Sequence, residues 1–226
     1  MTFDIVTIFP AMIEQPLTAG ILGRAIDRGI LDVRVRDLRD FTVDRHRVVD
    51  DVPYGGGPGM VLKPDPIFRA LDAIAAERGG SPATMTVILT SPQGRSFTQG
   101  EARRLSHAPH IVLLCGRYEG FDDRIRQVLQ PVELSVGDFV TNGGEVPAMV
   151  VIDSVIRLIP GVLGDEQSAA DDSHSAPGRI EYPQFTRPRV FRGLEVPEVL
   201  LSGNHQAVAK WREELSRAKS KERTEP

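Results

Sequence analysis

Five short apolar runs punctuate the chain: FDIVTIF (3–9), LDVRVRDL (31–38), TMTVILT (84–90), HIVLLC (110–115) and VELSV (132–136). Runs of this length, rich in β-branched residues, read as strands. Between them, residues 11–28, 65–78, 98–106 and 120–129 carry the wider apolar spacing of helices. Strands alternating with helices predict an α/β domain on a mainly parallel sheet. A further helix, EVPAMVVIDSVIRLI (145–159), tolerates Pro147 in its first turn and is apolar on nearly every side. It is expected to be buried, in the domain or against a second subunit.

The pattern then changes. GVLGDEQSAADDSHSAPGRIEYPQF (161–185) is small, polar and acidic with no sustained period, and reads as a long loop, a lid or linker between parts of the protein. After it, VAKWREELSRAK sets Val208, Trp211, Leu215 and Ala218 at helical spacing, with Lys210, Arg212, Arg217 and Lys219 elsewhere on the surface. A small helical C-terminal domain is expected, with Trp211 either its core anchor or, less in keeping with the spacing, a base-stacking platform.

Charge sharpens this division. The net charge is −4, yet residues 1–184 hold 18 Lys/Arg against 25 Asp/Glu while residues 185–226 hold 9 against 6. A second basic cluster, from Arg24 to Arg47, is diluted by five aspartates. These are two candidate phosphate-facing patches or two solvated faces with local ion pairs. The single cysteine, Cys115, cannot form an intramolecular disulfide and suits a cytoplasmic protein. The first residues show neither a basic leader nor a long apolar run, and no stretch approaches the roughly 18–20 apolar residues of a membrane span.

Several chemistries are missing their motifs. There is no G-x-x-x-x-G-K-[ST], no G-x-S-x-G, and no ligand spacing among the five histidines. YGGGPGM (54–60) is glycine-dense but lacks the dinucleotide spacing and does not lead from a strand into a helix. What remains is three loops at strand ends: TSPQGRSF (90–97), CGRYEGFDDR (115–124) and SVGDFVTNGGE (135–145). In open α/β sheets ligands bind at the carboxyl ends of strands. Bare glycine backbone with little positive charge suits an adenine-and-ribose ligand without a triphosphate.

In this order, VDDVPYGGGPGM, SPQGRSF, CGRYEGFDDR, SVGDFVTNGGE, IPGVLG, DDSHS and LLSGNH closely resemble the bacterial tRNA guanine-N1 methyltransferases, the TrmD family of the SPOUT superfamily. The resemblance spans almost the whole chain. It implies a SPOUT-type parallel sheet whose cofactor pocket is a deep trefoil knot (about 88–146), with residues 1–160 as the methyltransferase domain. It also implies a flexible interdomain linker or lid (161–185) and a helical tRNA-binding domain (186–226). The implied reaction moves a methyl group from S-adenosylmethionine to N1 of guanosine 37 of tRNA, 3′ of the anticodon. The implied enzyme depends on Mg2+ and is a homodimer with its site between subunits.

By the same resemblance the cofactor pocket is formed by Leu89, Ser91, Pro92, Gly116, Tyr118, Glu119, Val136, Gly137, Phe139, Thr141, Gly143, Gly144 and Pro147. The family commonly has tyrosine in place of Phe139, leucine in place of Thr141 and aspartate in place of Glu181, and this chain has one extra residue between Asp172 and Pro183. The family's general base aligns with Asp172 and its guanine-stabilising arginine with Arg157; Glu119 and Asp172 are the metal candidates. The reaction's demands fit these roles: N1 of guanine carries a proton that must leave, and charge then develops on O6. The sequence alone leaves plainer readings open: Arg157 paired with Asp153 on one helix, Asp172 capping a turn, Glu119 as a helix N-terminal charge. Nor does chemistry separate Asp172 from Asp171. Two other functions share the motifs in part, a ribose 2′-hydroxyl methyltransferase and a non-catalytic RNA-binding module, while a nucleotide hydrolase lacks its phosphate and metal motifs.

Overall fold

The computed structural model describes residues 1–164 and 172–224. The chain divides into two compact units, Met1–Gly164 and Asp165–Pro226. In the first, β1 (Thr2–Thr7), β2 (Asp32–Asp37), β5 (Thr86–Ser96), β6 (His110–Cys115) and β7 (Val132–Ser135) form one sheet in the order β2-β1-β6-β5-β7, parallel throughout. The all-parallel pairing accords with the strand–helix alternation, because parallel neighbours need crossover connections.

Strand alternation sorts the core into two layers. Phe3, Ile5, Ile88, Ile111 and Leu113 face one way and pack with α1 (Ala11–Leu17), α2 (Gly20–Asp27), α4 (Gln99–Leu105) and α6 (Glu145–Ile156). Val6, Leu89, Val112 and Leu114 face the other way, towards α3 (Pro64–Glu77) and α5 (Asp123–Leu129). Asp4 lies on this second face and is fully buried, a costly placement for a carboxylate unless it is paired. Three partners meet it: Arg36 at 2.9 Å, Arg78 at 3.1 Å and His110 at 2.9 Å.

Two sequence expectations change. Residues 11–28 form two helices, because the chain breaks at Thr18–Ala19 and turns through Gly20 at φ +65°. Pro16 lies in the last turn before the break, where it removes a backbone donor and favours ending the helix. The run expected to end near Thr90 continues as β5 to Ser96, pairing with β7 on both sides of a four-residue excursion: Thr90 and Arg95 both register with Leu134. YGGGPGM closes a short hairpin between β3 (Asp50–Asp51) and β4 (Val61–Leu62).

The second unit contains a two-stranded hairpin, β8 (Val190–Phe191) and β9 (Leu194–Glu195), then α7 (Glu198–Leu201) and α8 (His205–Thr224). Along α8, Val208, Trp211 and Leu215 are partly buried as their spacing predicts, but Ala218 is exposed and Ser216 is the most deeply buried of the set. Ser216 Oγ donates to the Ile180 carbonyl (2.6 Å), and the Ile180 N–H donates to Ser220 Oγ (2.9 Å). An apolar pattern does not register serines that face inward with their hydrogen bonds met. Trp211 packs against Phe185 (ring centroids 6.2 Å apart), and the Arg212 guanidinium covers the Tyr182 ring at 4.7 Å. The part of the expected lid at 172–185 therefore carries contacts to α8, while residues 165–171, including Asp171, lie outside the described residues.

Candidate functional site

Strands β6, β5 and β7 are neighbours, so the loops after them converge on one edge of the sheet. They enclose an open cavity of about 250 Å³. Twelve of the thirteen residues assigned to the cofactor pocket line it; Gly137 stands one residue outside the lining. Arg117, Arg126 and Asn142 line it as well.

The loops are held by backbone contacts that leave no room for side chains. The Gly144 N–H donates to the Gly116 carbonyl at 2.8 Å, tying the third loop to the second. A Cβ on Gly144 would stand 2.2 Å from Thr90 Oγ1, 2.7 Å from the Gly116 nitrogen and 2.8 Å from Cys115 Cα, contacts no side chain tolerates. Thr90 Oγ1 lies 3.2 Å from the Leu114 carbonyl and 3.3 Å from that of Gly144, so β5, the end of β6 and the end of the third loop meet at one hydroxyl. Ser135 Oγ donates to the Gly137 carbonyl (2.8 Å) and Thr141 Oγ1 to that of Gly143 (2.9 Å), closing the third loop on itself. Tyr118 adopts a left-handed conformation, φ +57°, at the centre of the second loop.

One anchoring group escaped the sequence reading. Glu145, at the first position of α6, is 1% exposed. It accepts from Thr7 Oγ1 at 2.6 Å and from Arg117 Nε at 2.8 Å. The same guanidinium donates to the Asn142 carbonyl (3.2 Å) and lies 4.4 Å from the Phe9 ring centroid. Arg117 thus clamps the second loop to the third and both to the end of β1. The available signal was a carboxylate opening an otherwise apolar helix, since a charge buried there requires a partner. Beneath the cavity, Cys115 is buried; desolvation and the nearby Glu145 charge push its thiol pKa well up, as for a structural thiol.

Of the remaining candidates, Arg157 is displaced along α6 from this cavity. Arg157 follows the last residue of α6, whereas the cavity is at the first turn; the twelve residues between span about 18 Å. Glu119 lines the cavity and its carboxylate sits over Gly59, four residues ahead of α5, so it is not in that helix's first turn. Asp172 belongs to the second unit, where its carbonyl accepts from the Ser175 N–H at 3.1 Å. Among the described residues no group of three or more His, Cys, Asp or Glu side chains is placed to hold a metal ion. An adenosine-bearing cofactor suits the open cavity that the three loops line largely with backbone.

A backbone-lined pocket at the carboxyl edge of a parallel sheet is where α/β proteins of this class bind their ligands. The match is specific: residues 1–225 fit the family model for tRNA (guanine-1)-methyltransferase TrmD, and the chain belongs to that family. It is 53% identical over 216 residues to a tRNA (guanine-N(1)-)-methyltransferase of Geobacillus kaustophilus, covering 96% of this chain and 86% of that protein. The proteins of the same name from Geobacter sulfurreducens and Latilactobacillus sakei are 54% and 49% identical, covering 94% and 99% of this chain and 84% and 89% of their own lengths. Among the described residues no helix is long and apolar enough to cross a membrane.

Proposed function

We propose that this protein transfers a methyl group from S-adenosylmethionine to N1 of guanosine 37 in tRNA. The observation that carries the reading is the cavity closed by the three strand-end loops, in a chain that matches the family from end to end. Ser91, Pro92, Gly116, Tyr118 and the backbone from Val136 to Gly144 hold the adenosine, and the trefoil knot implied by the family runs through these loops. When bound, the cofactor supplies a methyl group already activated on a sulfonium, so the protein has to align the acceptor and make it electron-rich.

In this reading Asp172 accepts the N1 proton as the N1–methyl bond forms and the sulfur–methyl bond breaks. The Arg157 guanidinium stabilises the charge gathering on O6. No step is routed through magnesium.

The distance along α6 supports a homodimer. An arginine about 18 Å along the helix from the pocket does not reach a guanine held there, but an arginine from a second copy can. A surface for that copy is at hand: Val146 (55% exposed) and Val150 (42%) on α6 continue into Met12 and Phe9 at the start of α1, which packs on α6. Guanine N1 reaches a recessed methyl donor only if the base leaves the stack. The 161–185 segment serves as the cover, and the basic C-terminal unit grips the RNA backbone, so affinity falls steeply with salt.

The test is nucleoside mass spectrometry on an unmodified tRNA bearing G37 after incubation with the protein, the cofactor and magnesium, beside Asp172→Asn. 1-Methylguanosine from the parent alone is expected. A ribose-methylated product, favoured by a base-free 2′-hydroxyl chemistry, would replace this reading.

A further inference from the structure

Among the described residues the most exposed large hydrophobic side chain is Tyr54, at 99%. It stands at the tip of the β3–β4 hairpin, in a turn closed by the Gly56 N–H donating to the Pro53 carbonyl at 3.2 Å. Gly55 at φ +86° occupies the third position of this turn, the place where a type II turn requires glycine, and so Tyr54 takes the outer corner. No side chain on Gly55, Gly56 or Gly57 covers the ring, and a Cβ on any of these would meet open space.

The far side of the hairpin is fixed to the cofactor loop. The Glu119 N–H donates to the Met60 carbonyl (3.0 Å), the Leu62 N–H to the Gly120 carbonyl (2.9 Å) and the Asp122 N–H to the Leu62 carbonyl (3.0 Å). A bare aromatic ring is thus carried on an arm whose base is one wall of the candidate methylation pocket.

We propose that Tyr54 is a stacking platform for an unpaired nucleobase of the RNA substrate next to the base being methylated. This rests on the tRNA methyltransferase reading above. Expulsion of one base from a loop unstacks its neighbour, and an aromatic face can take over the lost contact whatever the neighbour's identity. A glycine-rich tip leaves both faces of the ring open to a base. A second copy of the chain would bury a continuous apolar area, whereas here one ring projects among glycines.

The experiment uses the full-length protein with Tyr54 replaced by Ala, Phe and Trp. It reads the affinity for fluorescently labelled tRNA by anisotropy, S-adenosylmethionine affinity by calorimetry, KM and kcat for methylation, and sedimentation. Tyr54→Ala is expected to weaken tRNA binding and raise KM about tenfold, with cofactor affinity and sedimentation unchanged, and Phe and Trp to stay within about twofold of the parent. Native tRNA affinity in the Ala variant overturns stacking while leaving the methylation reading intact. A lighter sedimenting species assigns the ring to a subunit contact and overturns it too. A parent that neither binds nor methylates tRNA removes both proposals, and that outcome is read from the parent alone.

Discussion

Two glycine-rich loops stand on either side of Glu119, and they use glycine for opposite reasons. In the pocket loop, Gly143 and Gly144 are packed so tightly that an added Cβ would come within 2.2 Å of Arg117 Nε and of Thr90 Oγ1. Gly144 has an ordinary backbone, φ −80°, so space is what it supplies. In the hairpin loop, Gly55, Gly56 and Gly57 have open space around them but φ values of +86°, +78° and +122°. There glycine supplies conformation. One loop is built to let other backbone come close, the other to turn sharply and stay bare.

The comparison can be broken most forcefully at the clamp. Arg117→Met leaves the buried Glu145 carboxylate without its cation and is expected to cost about 3–5 kcal/mol in denaturant unfolding. A loss under about 1 kcal/mol would mean that the pocket loops do not depend on the pair. Next, Gly144→Ala should cost about 1–3 kcal/mol from overpacking against backbone that cannot retreat, and weaken S-adenosylmethionine binding more than tenfold in calorimetry. Gly55→Ala should cost only about 1 kcal/mol, the penalty of a left-handed alanine, with cofactor affinity unchanged. If the two alanine variants behave alike, the distinction between room and conformation is lost.

The smallest effect concerns the seam where the loops join. Hydrogen bonds from the Arg124 side chain, followed by desolvation in the opposite sense, leave the Asp122 carboxyl below the usual carboxylate range. A depressed folded-state pKa gives stability that is present above about pH 3.9, the unfolded value, and is lost as pH falls through the folded one. Asp122→Asn should therefore remove a small part of the acid dependence of unfolding and leave stability at pH 7 lowered by less than about 1 kcal/mol, since the pair is largely solvated. An unchanged acid limb would show that the Asp122–Arg124 bond contributes nothing.

The five strands of the parallel sheet and the place of the glycine loops beside them were legible in the sequence, because apolar runs and glycines at strand ends leave local marks. Glu145 and Arg117 were not, because their partners are 28 residues apart and the third member, Thr7, is 138 residues from Glu145. The split of 11–28 depended on a single residue, Gly20, turning left-handed where helical spacing continued across it. The excursion within β5 was read as the strand's end, since pairing that resumes after a break is a property of the neighbouring strand. Ser216 was missed because pattern counts only apolar side chains, and a hydroxyl whose bond is met can be buried as deeply.

Helix α6 carries a pocket wall at one end and Arg157 at the other. Under the proposed reaction each chain is then a donor of one half and a recipient of the other, and its catalytic power belongs to a pair. Dilution would act as an inhibitor, and a population mixing Arg157-deficient chains with pocket-deficient ones would recover activity that neither possesses by itself.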